Sequence, residues 1–153
     1  MCDIPEAVGD PEKVVRAVFS NHLKKNKLQK VIFQPSPGTD DVSVMRHAYL
    51  GSDACKAAAL EKIQQGNPNL KYKGFVVIIV AAVRSTGSDV IDSRVEFCGH
   101  AHISHGFQVP PEGEPLHAEL KIKLDDRIRE LKELAHFVAD PDPASATWTG
   151  AAL

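Results

Sequence analysis

The stretch EFCGHAHISHGF, residues 96–107, places three histidines and one cysteine within eight positions. Histidine and cysteine are the side chains that bind transition metals and move protons near neutral pH, so their spacing sets the first question. In an extended strand successive side chains point to opposite faces. The even positions Arg94, Glu96, Cys98, His100, His102 and Ser104 then share one face, and Val95, Phe97, Gly99, Ala101 and Ile103 share the other. His105 falls outside this row, at the strand end or in the loop that follows.

A second alternating segment, LHAELKIKL (116–124), offers partners. Its Leu116, Ala118, Leu120, Ile122 and Leu124 are apolar, while His117, Glu119, Lys121 and Lys123 are polar. If the two segments form a hairpin, one register opposes Glu96 to Lys123, Cys98 to Lys121, His100 to Glu119 and His102 to His117. The neighbouring register opposes Glu96 to Asp125 and His100 to Lys121. Opposite charges across a strand pair are favoured and like charges are not, which selects the first register. His100, His102, His117 and Glu119 then form a square of metal donors. Zinc, or another first-row transition metal such as iron or manganese, suits that set, with Cys98 as a further soft ligand. His105 and Arg94 are the candidate catalytic groups, as proton donor or acceptor and as cation respectively. A metal-free alternative uses His100 or His102 with His117 for proton transfer and Arg94, aided by Arg46 or Arg84, to stabilise charge in RNA cleavage. Glu96 and Glu119 would oppose an anionic substrate there, and no aromatic residues are interleaved to stack bases.

Other chemistry finds little support. STGSD lacks the surroundings of a nucleophile elbow, and PSPGTDD lacks the lysine and spacing of a phosphate loop. Cys55 falls inside an expected helix and reads as a buried thiol. His22, His47 and His136 are isolated and read as surface or boundary residues.

The elements that must position these groups follow from patterning. Asp10 and Pro11 suggest the start of a first helix carrying Val14, Val15, Val18, Phe19 and Leu23. KVIFQ and VSVMRHAYL (42–50) read as strands. Gly51 and Ser52 then introduce a helix, DACKAAALEKIQQ, which GNPN ends. YKGFVVIIVAAVR reads as a strand buried on both faces. After the two alternating segments, Asp125 or Asp126 caps a last helix with Ile128, Leu131, Leu134, Ala135 and Val138 on its inner stripe.

These elements imply one α+β domain over residues 1–139. It would hold a mostly antiparallel sheet of about five strands, with helices packed on one face. Residues 140–153, rich in proline, alanine and threonine, read as a disordered tail with Trp148 as its one adhesive residue.

The whole chain bounds the function. Its 153 residues are 43% hydrophobic and 25% charged, with a net charge of −2. That balance disfavours nucleic acid as a partner. The lysine run at 24, 25, 27 and 30 reads as a solvated helix end. No signal segment is evident, and the nine-residue run FVVIIVAAV is too short to span a membrane. Cys2, Cys55 and Cys98 are few and widely spaced, giving no disulfide framework and pointing to a reducing cytoplasm. The composite expectation is a small binding or accessory domain. It would engage a protein partner, or a second copy of itself, through an open polar sheet face or its tail. The alternatives are a metal-dependent hydrolase or lyase and a histidine-based ribonuclease.

Overall fold

In a computed structural model, which describes residues 1–66 and 69–153, the chain forms a single α+β domain. A six-stranded antiparallel sheet carries three helices packed against it. The strands are β1 (Lys13–Phe19), β4 (Asp41–Arg46), β5 (Tyr72–Ile79), β6 (Asp89–Asp92), β7 (His100–Ser104) and β8 (His136–Ala139). A separate two-stranded hairpin joins β2 (Leu23–Lys24) to β3 (Lys27–Leu28). The helices are α1 (His47–Gln65), α2 (Val80–Ser85) and α3 (Ala118–Leu134). In the main sheet the order is β6-β7-β4-β1-β5-β8, and every neighbour is antiparallel.

β1 occupies the segment expected to be the first helix. Val14, Val15 and Val18 are β-branched and lose side-chain freedom in a helix, and here they are buried on alternate faces. Seven registered pairs tie β1 to β5, from Lys13–Ile79 to Phe19–Tyr72. β5 has apolar residues on both faces, as its unbroken run requires: Phe75 and Val77 on one, Val76 and Ile78 on the other. It ends at Ile79, and the rest of the expected strand becomes α2.

The helices, expected on one face, lie on both. α3 covers the face of Val14, Val76 and Ile103 with Leu124, Ile128 and Leu131, each worth about 1.5–3 kcal/mol when fully buried. α1 covers the face of Val15, Phe75 and Val77 with Cys55 and Ala59. Gly51 interrupts α1 with φ of 77°, so the regular helix starts after it, as the Gly51–Ser52 signal implies. The first turn, His47–Leu50, was expected as strand. Asn67 and Pro68, from the expected helix stop, lie outside the described residues.

Two further segments differ from expectation. Lys30–Phe33 is a 3-10 turn rather than a strand, and it drives Ile32 and Phe33 into the core. The lysine run forms no helix end. Lys25 and Asn26, with φ of 51° and 61°, make the tight turn between β2 and β3.

Both chain ends are anchored. Arg46 is fully buried and pairs with Glu12 and Asp92 at 2.9 and 2.8 Å, while it also donates to the carbonyls of Pro5 and Ala7. Arg94 donates to the Ile4 carbonyl. Residues 140–153, expected as a free tail, fold back over the α1 side. Lys56 and Asp140 form a buried ion pair at 2.9 Å, and Lys56 also donates to the carbonyls of Asp142 and Thr147. The Trp148 ring packs edge-on against Phe75 at 5.6 Å, and Leu153 is buried. Among the described residues no helix is long and apolar enough to cross a membrane.

Candidate functional site

The expected histidine square does not assemble. Residues 118–124 are helical, so no hairpin joins them to β7 and neither register exists. The physical reason is that alternation also contains a spacing of four. Leu116, Leu120, Leu124 and Ile128 recur every fourth residue, which a helix uses equally well. α3 buries Leu124 and Ile128, and leaves Ile122 exposed. His117 becomes the residue that precedes α3, and Glu119 lies in its first turn; both are exposed.

His100 and His102 do share a face of β7, and Ala101 and Ile103 are buried on the other. That histidine face is the α1 side, since His100 pairs with Met45 and Met45 with Val15. α3 packs on the opposite side, so the sheet separates His100 and His102 from His117 and Glu119. Residues 93–99 form turns rather than strand, leaving Val95 and Phe97 exposed. Among the described residues no group of three or more His, Cys, Asp or Glu is placed to hold a metal ion.

Cys98 is excluded as a ligand for a second reason: it is disulfide-bonded to Cys2, with Cα atoms 5.4 Å apart. The 96-residue separation hides this pair in the sequence. The N-terminal segment reaches Cys98 because Arg46 and Arg94 grip its backbone carbonyls. The disulfide also removes the basis for placing the chain in a reducing compartment.

The candidate catalytic groups are likewise engaged in structure. Arg94 pairs with Asp92 at 2.8 Å. His105 is buried between Ser88, whose Oγ lies 2.9 Å from its Nδ1, and the Phe33 carbonyl, 3.1 Å from its Nε2. Arg127 donates to Ser88 Oγ and to the His105 carbonyl, which completes this closed network. Burial lowers the pKa of His105, and the nearby Arg127 charge adds to that. Arg84, held by Asp10 and Asp89, is also committed. His22, expected near the surface, is buried and accepts the Phe19 amide at 3.0 Å. Cys55 is buried as expected, and burial pushes its thiol up to about 12.

A cleft of about 750 Å3 lies between α1 and the sheet. Two local causes create it. The helix presents Ala54, Ala57 and Ala58 at helical spacing, so methyl groups stand where larger side chains would fill the space. The sheet beneath also opens: β1 and β4 share only two registered pairs, Val14–Arg46 and Val15–Met45. Beyond Val15 the Arg16 side chain bridges the two strands, its Nη1 donating to the Ser43 carbonyl at 2.8 Å.

The walls are mainly apolar, with Val15, Ala17, Phe19, Met45, Leu50 and Phe97 among them. Arg16, Lys62, Glu61, Glu96, Ser43 and His100 supply the polar groups. Two atoms of this lining are enclosed and without a hydrogen-bond partner, Arg16 Nε and His100 Nδ1. Burial pulls the Arg16 guanidinium down to about 10, which leaves it cationic at neutral pH. Burial also lowers the pKa of His100, against the opposing pull of Glu96, and its ring meets Phe97 edge-on at 5.0 Å. Lys62 is lowered by burial and by the neighbouring Arg16 charge.

Sequence reasoning placed His100 on the correct face but passed over Arg16 and the alanines. Arg16 is a charge inside the valine-rich run KVVRAVF, a signal that has meaning only once the run is read as a strand. The alanines were read for helix propensity and not for the space they leave. The chain matches no known protein family, no characterised protein and no solved structure.

Proposed function

We propose that this protein is a small-molecule binding domain whose site is the cleft between α1 and the sheet. The observation that carries the reading is the pairing of an apolar cleft of about 750 Å3 with two enclosed, unpartnered polar atoms in its lining. Ligand sites of small molecules fall in the range of about 300–1,000 Å3 and combine apolar walls with a few convergent polar groups. Buried polar atoms are nearly always satisfied, so an enclosed donor and a ring nitrogen on one cleft call for a partner there. This reading keeps the expected binding role and assigns it to the cleft. Helices cover both sheet faces and Trp148 and Leu153 of the tail pack on the α1 side, which supports placing the binding role in the cleft.

Titration with N-phenyl-1-naphthylamine, an uncharged apolar fluorophore, tests the reading. Saturable one-to-one binding is expected, and Ala58→Phe should weaken it about tenfold or more by occupying the cleft, with the thermal midpoint retained. Absence of saturable binding by the wild-type protein would overturn the proposal.

A further inference from the structure

We propose that the ligand of this cleft is an amphiphilic monocarboxylate whose anionic group sits on Arg16, where β1 and β4 separate, and whose apolar body lies along the alanine face of α1. The inference rests on the cleft being a ligand site and adds the chemical class of what it holds.

Arg16 stands apart from the other enclosed cations. Arg46 is held by Glu12 and Asp92, and Lys56 by Asp140. Arg127 is bound to Ser88 and to a backbone carbonyl. Among the described residues Arg16 makes one side-chain hydrogen bond, to the Ser43 carbonyl, and no carboxylate forms an ion pair with it. Burial is what lowers its pKa. A part-buried guanidinium without a counter-charge, with its Nε enclosed, is costly, and removing that cost is a source of affinity for an anion. The enclosed Nε edge gives the geometry. A guanidinium is a planar fork of donors, and its Nε–H with a neighbouring Nη–H can donate side-on to the two oxygens of a carboxylate.

The charge around Arg16 points the same way. Lys62 is near enough to Arg16 for the two cations to repel, but Lys62 is itself offset by Glu96 and also acts on His100, so it lies between Arg16 and His100. The guanidinium reaches the Ser43 carbonyl on β4, and His100 lies on β7, the next strand, where burial disfavours the charged form of its ring. Glu96 lines the cleft near His100, which disfavours a second anion there. One anionic group on Arg16 and an uncharged body along the apolar walls is therefore the pattern that fits. The stretch of α1 from Ala54 to Lys62 is about 12 Å long at the helical rise, which suits a medium-length alkyl chain.

The test compares decanoate, decanol and decylamine by calorimetry and by displacement of N-phenyl-1-naphthylamine, using the full chain. Decanoate should bind about tenfold or more tightly than decanol, since a hydrogen bond to a charged group contributes at that level, and decylamine should bind weakest. Arg16→Gln should bring decanoate and decanol within about twofold of each other, and Arg16→Lys should keep part of the preference. Equal binding of decanoate and decanol by the wild-type protein, or a preference for decylamine, would overturn the charge assignment and leave the cleft as a site. Equal loss of both ligands in Arg16→Gln, in a variant with unchanged circular dichroism and thermal midpoint, would also overturn it. Failure of all three to bind while the fluorophore still binds would overturn the ligand class and leave the cleft as a site; absence of fluorophore binding as well would overturn both proposals.

Discussion

A buried histidine without a counter-charge couples folding to protonation, and His22 is placed to do so. Its Nδ1 accepts the Phe19 amide at the end of β1. Burial, followed by the charges of Arg16 and Lys62, pulls its pKa from 6.5 to about 4. The unfolded chain takes up this proton near 6.5, whereas the folded chain refuses it until about 4. Stability from this residue is thus fully present above 6.5 and is lost as the pH falls toward 4. His47, His100 and His105 shift downward as well, and burial leads in each case. Urea unfolding across this window should show the midpoint falling with pH, and His22→Gln should flatten part of that fall. A flat profile in the wild-type protein would contradict the burial of these rings. The carboxylates act in a lower window. Burial would raise Asp140, but its bonds to Lys56, the Asp142 amide and Tyr72 more than offset this and lower it below the ordinary value of 3.8.

Elements were legible in the sequence where one pattern had one interpretation. The alanine-rich run after Gly51 has strong helix propensity and is helix; the unbroken apolar run through Phe75–Ile78 is a strand buried on both sides. Misreading arose where two periods coincide. Val14, Val15, Val18 and Phe19 fit a helical stripe as well as a β-rich run, and Leu120, Leu124 and Ile128 fit both alternation and a helical stripe. Tertiary pairing decided each case: β5 binds β1 over seven pairs, and α3 caps the sheet face. The candidate site was legible only at His100, because the space that makes it a site depends on small residues of one element facing an opening in another. Gly74 shows the same dependence. It has φ of 147°, and a Cβ there would collide with the Val138 carbonyl in β8. Gly74→Ala should cost about 1–3 kcal/mol from backbone strain alone and should detach the β8 edge. Chemical denaturation, with proteolysis near His136–Ala139, reads both effects. An unchanged stability would show that β8 does not approach β5 so closely.

At the scale of the molecule, the two ends of the chain are fastened to opposite parts of the sheet. Cys2–Cys98 ties the N-terminal segment to the turn before β7, and Lys56–Asp140 ties residues beyond β8 to α1. Closing a loop of about 100 residues stabilises the folded chain by about 4–5 kcal/mol in the chain-entropy description. Thiol titration provides the check. Denatured, unreduced protein should show one reactive thiol, from Cys55, and reduced protein should show three. Three thiols without reductant would remove the cross-link from the structure. The short ladder between β1 and β4 has a mechanical consequence. The six strands behave as two leaves, β6-β7-β4 and β1-β5-β8, stitched at one corner by Val14–Arg46 and Val15–Met45. Local opening should concentrate along the seam with the fewest bonds, and amide exchange there should be faster than between β1 and β5.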